Sequence, residues 1–128
     1  LLIEQHDSAG SVSFIPEDQF FRRIPPWHLK GPRRVSSAAF DNDKGKNAFS
    51  ANWQRKSSIK QTINDHPGFG VASFTAELCY SLNQKPKYTP KEDNSAHCDI
   101  IGRKTQSVTK KFRDGAKYPL YPGDKLDS

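Results

Sequence analysis

The chain predicts a single α+β domain: a small, mainly antiparallel sheet with two to three helices. Three observations carry this. Its 128 residues fit one core, since such domains run to roughly 100–150 residues. Strand-like and helix-like segments alternate without the regular spacing of βαβ units. No stretch reaches the ~18 apolar residues that a membrane span needs. The domain is expected over residues 16–118, with residues 1–15 as an N-terminal lead or edge strand and residues 119–128 as an extended tail. Only 34% of residues are hydrophobic, but eight Phe, four Tyr and two Trp give a thin, aromatic-rich core.

The elements follow in order. Residues 1–10 read as a short strand or a lead. Ile15-Pro16-Glu17-Asp18 resembles a helix start, with proline and acids in the first turn, and Phe20, Phe21 and Ile24 follow at near-helical spacing. Pro25-Pro26 ends that segment. Residues 33–40 read as an irregular strand, residues 41–46 as a turn and residues 48–53 as the return strand of a hairpin. Ser57 or Ser58 caps a helix bearing Ile59 and Ile63, a better reading of Ser57-Ser58-Ile59-Lys60 than a catalytic SxxK. His66-Pro67-Gly68-Phe69-Gly70 breaks it as a turn. Residues 71–82 fit both periodicities and read as mostly helix after a short strand. Residues 85–94 read as a surface loop, and residues 97–101 as a strand closed by Gly102. Thr105 or Ser107 caps a last helix with Val108 and Phe112 facing inward.

Lys and Arg number 20 against 14 Asp and Glu, a formal charge of +6. That balance favours nucleic acid, a nucleotide or an acidic protein as partner; the alternative is a solubilising coat. Cys79 and Cys98 are too few for a disulfide scaffold and read as reduced thiols. Leu1-Leu2-Ile3 is too short for the core of a signal peptide. The cytoplasm is the expected location, with no membrane association. His97, Cys98, Asp99, Cys79 and His66 match no common zinc spacing, so no metal and no cofactor are expected.

Four clusters carry candidate chemistry. In Phe21-Arg22-Arg23-Ile24-Pro25-Pro26-Trp27-His28, with Arg33-Arg34-Val35-Ser36-Ser37 close behind, arginine forks suit phosphate oxygens while Trp27 and His28 suit stacking on bases. The alternative is a proline-rich corner whose Trp27 packs the core and whose arginines are solvated. Gly102-Arg103-Lys104-Thr105, between a strand and a helix, offers a second anion site, although it lacks P-loop spacing; an ordinary capped helix is the alternative. The histidines form the third: His28, His66 and His97, with Lys104 or Arg34, supply the acceptor, donor and cation of metal-independent RNA cleavage; the alternative is a turn at His66-Pro67 and a His97 that satisfies a neighbouring carbonyl. Fourth, Ser36-Ser37 adds hydroxyls without a GxSxG elbow.

The segments Arg22-Arg23-Ile24-Pro25-Pro26-Trp27-His28, Arg34-Val35-Ser36-Ser37-Ala38-Ala39-Phe40, His66-Pro67-Gly68-Phe69-Gly70 and Ala96-His97-Cys98-Asp99-Ile100-Ile101-Gly102-Arg103-Lys104-Thr105 resemble those of a group of small, uncharacterised bacterial proteins. The resemblance covers about residues 20–118. It implies a natural bacterial cytosolic domain, groups Arg34, Ser36, Ser37, His97 and Lys104 as one candidate site, and transfers no mechanism. Arg22 or Arg23 with Ser36-Ser37 is also similar to the ADP-ribosyltransferase pattern, in which an early arginine and a serine-containing strand hold a dinucleotide. No catalytic glutamate motif follows, Glu77 standing alone in Thr75-Ala76-Glu77.

The expected function is therefore binding of nucleic acid or a nucleotide phosphate through Arg22, Arg23, Arg34, Ser36, Ser37, Arg103, Lys104 and Thr105. The alternatives are a ribonuclease of toxin type using His66, His97 and Lys104, and an accessory or immunity-like protein with an acidic partner.

Overall fold

The computed structural model describes residues 12–126 and the backbone of Gln5–His6. One compact α+β domain is built on a six-stranded antiparallel sheet with three helices. The strands are β1 (Gln5–His6), β2 (Val12–Ser13), β3 (Gln19–Ile24), β4 (Leu29–Gly31), β5 (Arg34–Val35), β6 (Ala48–Trp53), β7 (Gly70–Thr75), β8 (Lys85–Tyr88), β9 (His97–Ile101) and β10 (Lys117–Leu120). The main sheet runs β10-β7-β3-β6-β9-β8, and β1-β2 and β4-β5 form separate pairs. The helices are α1 (Ile59–Thr62), α2 (Ala76–Ser81) and α3 (Gln106–Gly115). No helix among the described residues is long and apolar enough to cross a membrane.

Alternation along the strands gives the sheet two unlike faces. Phe20 and Ile24, Phe49, Ala51 and Trp53, Ala72 and Phe74, and Cys98 and Ile100 build the main core. Phe112 of α3 closes it, stacked on Phe40 at 5.8 Å and edge-on to Phe49 and Phe74 at 5.4 Å. The core is aromatic, as the composition predicts. On the opposite face a small cluster of Phe21, Val71 and Leu120 is covered by Ile59 and Ile63 at α1. The rest of that face is polar and open.

Several segments differ from the sequence reading. Residues 19–24 are the strand β3, not a helix, because β3 pairs with β7 over all six residues. The apparent helix start is a turn, in which Asp18 Oδ2 accepts from the Ile15 amide at 2.9 Å. The other oxygen of buried Asp18 takes Arg55 Nε at 2.7 Å and Trp53 Nε1 at 3.3 Å. Residues 33–40 contribute only the two-residue β5, followed by a 3₁₀ helix, Ser37–Phe40, whose first turn is capped when the Ala38 amide donates to Ser36 Oγ. Strand β6 pairs with β3 and β9 instead of forming a hairpin with that segment. Residues 71–82 split into β7 and α2 at Thr75, whose hydroxyl accepts from the Leu78 amide. Residues 85–88 form the edge strand β8, where Pro86 is tolerated because its missing N–H can face outward.

The α1 cap, β9 and α3 follow the sequence. Ser58 and Gln61 make a capping box. Thr105 caps α3, which buries Phe112 and half-buries Val108. Gly102 ends β9 with φ 145, and a Cβ there would lie 2.5 Å from Gln84 Oε1, so only glycine fits.

Candidate nucleotide-phosphate cleft

Strands β3 and β6 pair only at Phe20↔Trp53 and Phe21↔Asn52, then part. Their unpaired backbone groups need other partners. Arg22 Nη1 donates to the Ser50 carbonyl at 2.8 Å, and its Nε donates to the Ala39 carbonyl at 3.2 Å. Asp43 Oδ2 accepts the Ser50 amide at 3.0 Å, and Asp43 Oδ1 lies 3.4 Å from Arg22 Nη1. The guanidinium also sits 4.6 Å over the Phe49 ring. Arg22 is thus a structural residue of the split sheet. Burial lowers its pKa, and Asp43 works against that shift.

On the polar face the split opens into a cleft of about 670 Å³, with a pit of about 40 Å³ at its base. Arg23, Ser50, Asn52 and His97 form the floor, while residues 56–66 and 91–95 make the walls. Its cations are Arg23, Lys56, Lys60 and Lys91, against the carboxylates Asp65 and Asp93. An amide and hydroxyl chain fixes the walls to the floor. Asn94 Nδ2 donates to Asn52 Oδ1 at 2.8 Å, and Asn52 Nδ2 donates to Thr62 Oγ1 at 3.2 Å. Thr62 Oγ1 in turn donates to the Ser58 carbonyl at 2.8 Å.

Arg23 comes from the same strand as Arg22 but points to the cleft. Among the described residues its one hydrogen bond runs from Nη1 to the Thr62 carbonyl at 3.3 Å, leaving most of its five N–H groups for a ligand. His66, half-buried in the wall, is held below the ordinary imidazole range first by burial and then by the Arg23 charge. His97 is buried at the floor. Its Nε2 lies 3.1 Å from Ser50 Oγ, and its Nδ1 lies 2.9 Å from Thr89 Oγ1 and 3.0 Å from the Thr89 carbonyl. Ser50 Oγ donates to Asp43 Oδ2 at 2.9 Å and pairs with His97 Nε2, while Nδ1 sits between the hydroxyl and the carbonyl of Thr89. The hydroxyl is thus held between a carboxylate and an imidazole, a polar chain from β6 to β9.

The structure therefore brings Arg23, His66 and His97 into one cleft. Lys104 is elsewhere: its Nζ donates to the Ile100 and Gly102 carbonyls at 2.9 and 2.8 Å and lies 5.0 Å from the Phe49 ring. Burial pushes it down to about 8. Thr105 is occupied as the α3 cap, and exposed Arg103 does not reach the cleft. The grouping of Arg34, Ser36, Ser37, His97 and Lys104 is not assembled, since of these only His97 lines the cleft. Ser37 opens a 3₁₀ helix that Ser36 caps, and neither lines the cleft; the serine that lines it with Arg23 is Ser50. Of the residues weighed as metal ligands, Cys98 points into the core while His97 lines the cleft on the opposite face. Trp27 is not a core residue; it is 69% exposed.

Sequence reasoning missed Ser50, Asn52, Lys60, Lys91 and Asn94. The signal for two of them was present in Phe49-Ser50-Ala51-Asn52-Trp53, where apolar residues alternate with polar ones. Asn52 itself is nevertheless 6% exposed, buried at the floor of the cleft rather than solvated.

No family model matches the chain, and neither a curated protein nor a solved structure matches it significantly.

Proposed function

We propose that the cleft binds a phosphate group of nucleic acid or of a nucleotide. The observation that carries this reading is the Arg23 fork, directed into a concave polar site where cations outnumber carboxylates. Guanidinium groups match phosphate oxygens in a bidentate way. The cleft volume of about 670 Å³ lies within the usual range for small-ligand sites. Cys79 and Cys98 are buried free thiols, which suits a reducing cytoplasm as the place of encounter. The test is binding of labelled RNA, DNA and nucleotides at ~50 mM salt. Affinity falls steeply with added salt, and Arg23→Ala weakens binding and lowers the salt slope by about one. Absence of binding to all three probes ends this reading.

A second reading is favoured by one observation: two imidazoles, His66 and His97, line the same cleft as Arg23. In metal-independent RNA cleavage one imidazole takes the 2′-OH proton as the 2′-oxygen–phosphorus bond forms. The other protonates the 5′-oxygen as its bond to phosphorus breaks, and Arg23 takes the place of Lys104 as the cation facing the phosphorane. His66, kept neutral by burial and Arg23, suits the acceptor role. EDTA-resistant cleavage leaving 2′,3′-cyclic ends, lost in His66→Ala and His97→Ala, supports it; intact RNA after long incubation contradicts it.

A further inference from the structure

The largest exposed apolar side chain is not isolated. The Trp27 ring lies 5.7 Å from Phe69 in an edge contact, Phe69 lies 5.0 Å from His66, and His66 lines the cleft. The His28 ring lies 6.4 Å from that of Trp27. A continuous aromatic strip therefore leads out of the basic cleft. Its outer end is rigid, because Pro25 and Pro26 fix the backbone entering the 3₁₀ helix Pro26–His28. The neighbouring turn is anchored as well: the Gly123 amide donates to the Gly68 carbonyl at 3.0 Å. Beyond His28 the chain enters the β4–β5 hairpin, where Arg33 and Arg34 are exposed. Arg33 lies 4.8 Å over Tyr121, on the segment tied to Gly68. The order along this surface is cation, aromatic, cation.

We infer that the ligand of the cleft is a single-stranded nucleic acid, with one phosphate at Arg23 and the adjoining bases stacked along His66, Phe69 and Trp27. The inference rests on the phosphate reading of the cleft and extends it. A mononucleotide engages the cleft but leaves the strip bare. A duplex has its bases stacked internally and presents no free ring faces to Trp27. A flexible strand satisfies both parts, because every base has a face to stack and every linkage a charge to pair. An exposed tryptophan held on a proline-fixed base loses little freedom when a base lands on it.

Trp27 also supplies its own probe, since the other tryptophan, Trp53, is 1% exposed. The experiment follows tryptophan emission while titrating the full chain at ~50 mM salt. The probes are an oligouridylate of about twelve nucleotides, uridine monophosphate, and a duplex of similar length. The single strand should quench the exposed tryptophan and bind at least about tenfold more tightly than the monophosphate or the duplex. Trp27→Ala should abolish the quench and weaken the single strand by about tenfold or more, with monophosphate affinity unchanged; Trp27→Phe should retain most of the affinity. Equal binding of strand and monophosphate, unaffected by Trp27→Ala, overturns the stacked track and leaves the phosphate cleft standing. Tighter binding of the duplex overturns it too. Failure of every probe to bind overturns both.

Discussion

Arg22 and Asp43 share one strand between them: Arg22 takes the carbonyl of Ser50 and Asp43 takes its amide, where β3 and β6 no longer pair. The ion pair stands in for the missing backbone ladder and holds the sheet open at the cleft. Removing either partner strands a half-buried charge and backbone group, so Arg22→Ala and Asp43→Ala should each cost about 2–4 kcal/mol. Urea denaturation measures this. Arg22→Lys should recover only part of the loss, because a single ammonium cannot reproduce the fork that reaches both Ala39 and Ser50.

Lys104 should act on stability, not on ligand affinity. Its ammonium is lowered to about 8 by burial, while the unfolded chain holds that proton up to the ordinary lysine range, ~10.4. Between those values the unfolded state binds more protons, so this group's contribution to stability rises with pH. The urea midpoint of the wild type should gain on that of Lys104→Met from about pH 7.5 to about pH 10. Nucleotide affinity at neutral pH should stay within about twofold. A flat difference in midpoint contradicts the buried ammonium.

His66 should couple ligand binding to protons. In the free protein, burial and Arg23 keep its pKa below the ordinary imidazole value. A phosphate beside it favours the protonated ring, so the bound state holds more protons and affinity should increase as pH falls from about 7.5 to about 5.5. His66→Ala should flatten that profile. A wild-type profile that is already flat separates His66 from the bound anion.

Local signals made α1, β9 and α3 legible: the Ser58 cap with Ile59 and Ile63, the run before Gly102, and the Thr105 cap with Val108 and Phe112. β3 looks helical in the sequence because Pro16-Glu17 and the Phe20, Phe21, Ile24 spacing imitate a helix. What decides its conformation is pairing with β7, far along the chain, from Gln19↔Thr75 to Ile24↔Gly70. Arg23, His66 and His97 were legible by residue type. Their separation from Lys104 was not: His97 begins β9 and lines the cleft, whereas Lys104 follows the other end of that strand and turns to the Phe49 ring in the core. Ser50 and Asn52 carry no charge, and only the parting of β3 and β6 gives them a cleft to line.

The proposed phosphate seat lies on the polar face between β3 and β6. Amide chemical-shift mapping of the full chain with uridine monophosphate locates it. The largest shifts should fall on Ser50, Asn52 and His97 in the floor and on Thr62 and His66 in the wall, and should vanish in Arg23→Ala. Shifts gathered instead at Arg103, Lys104 and Thr105 ahead of α3, or shifts that persist in Arg23→Ala, would contradict it.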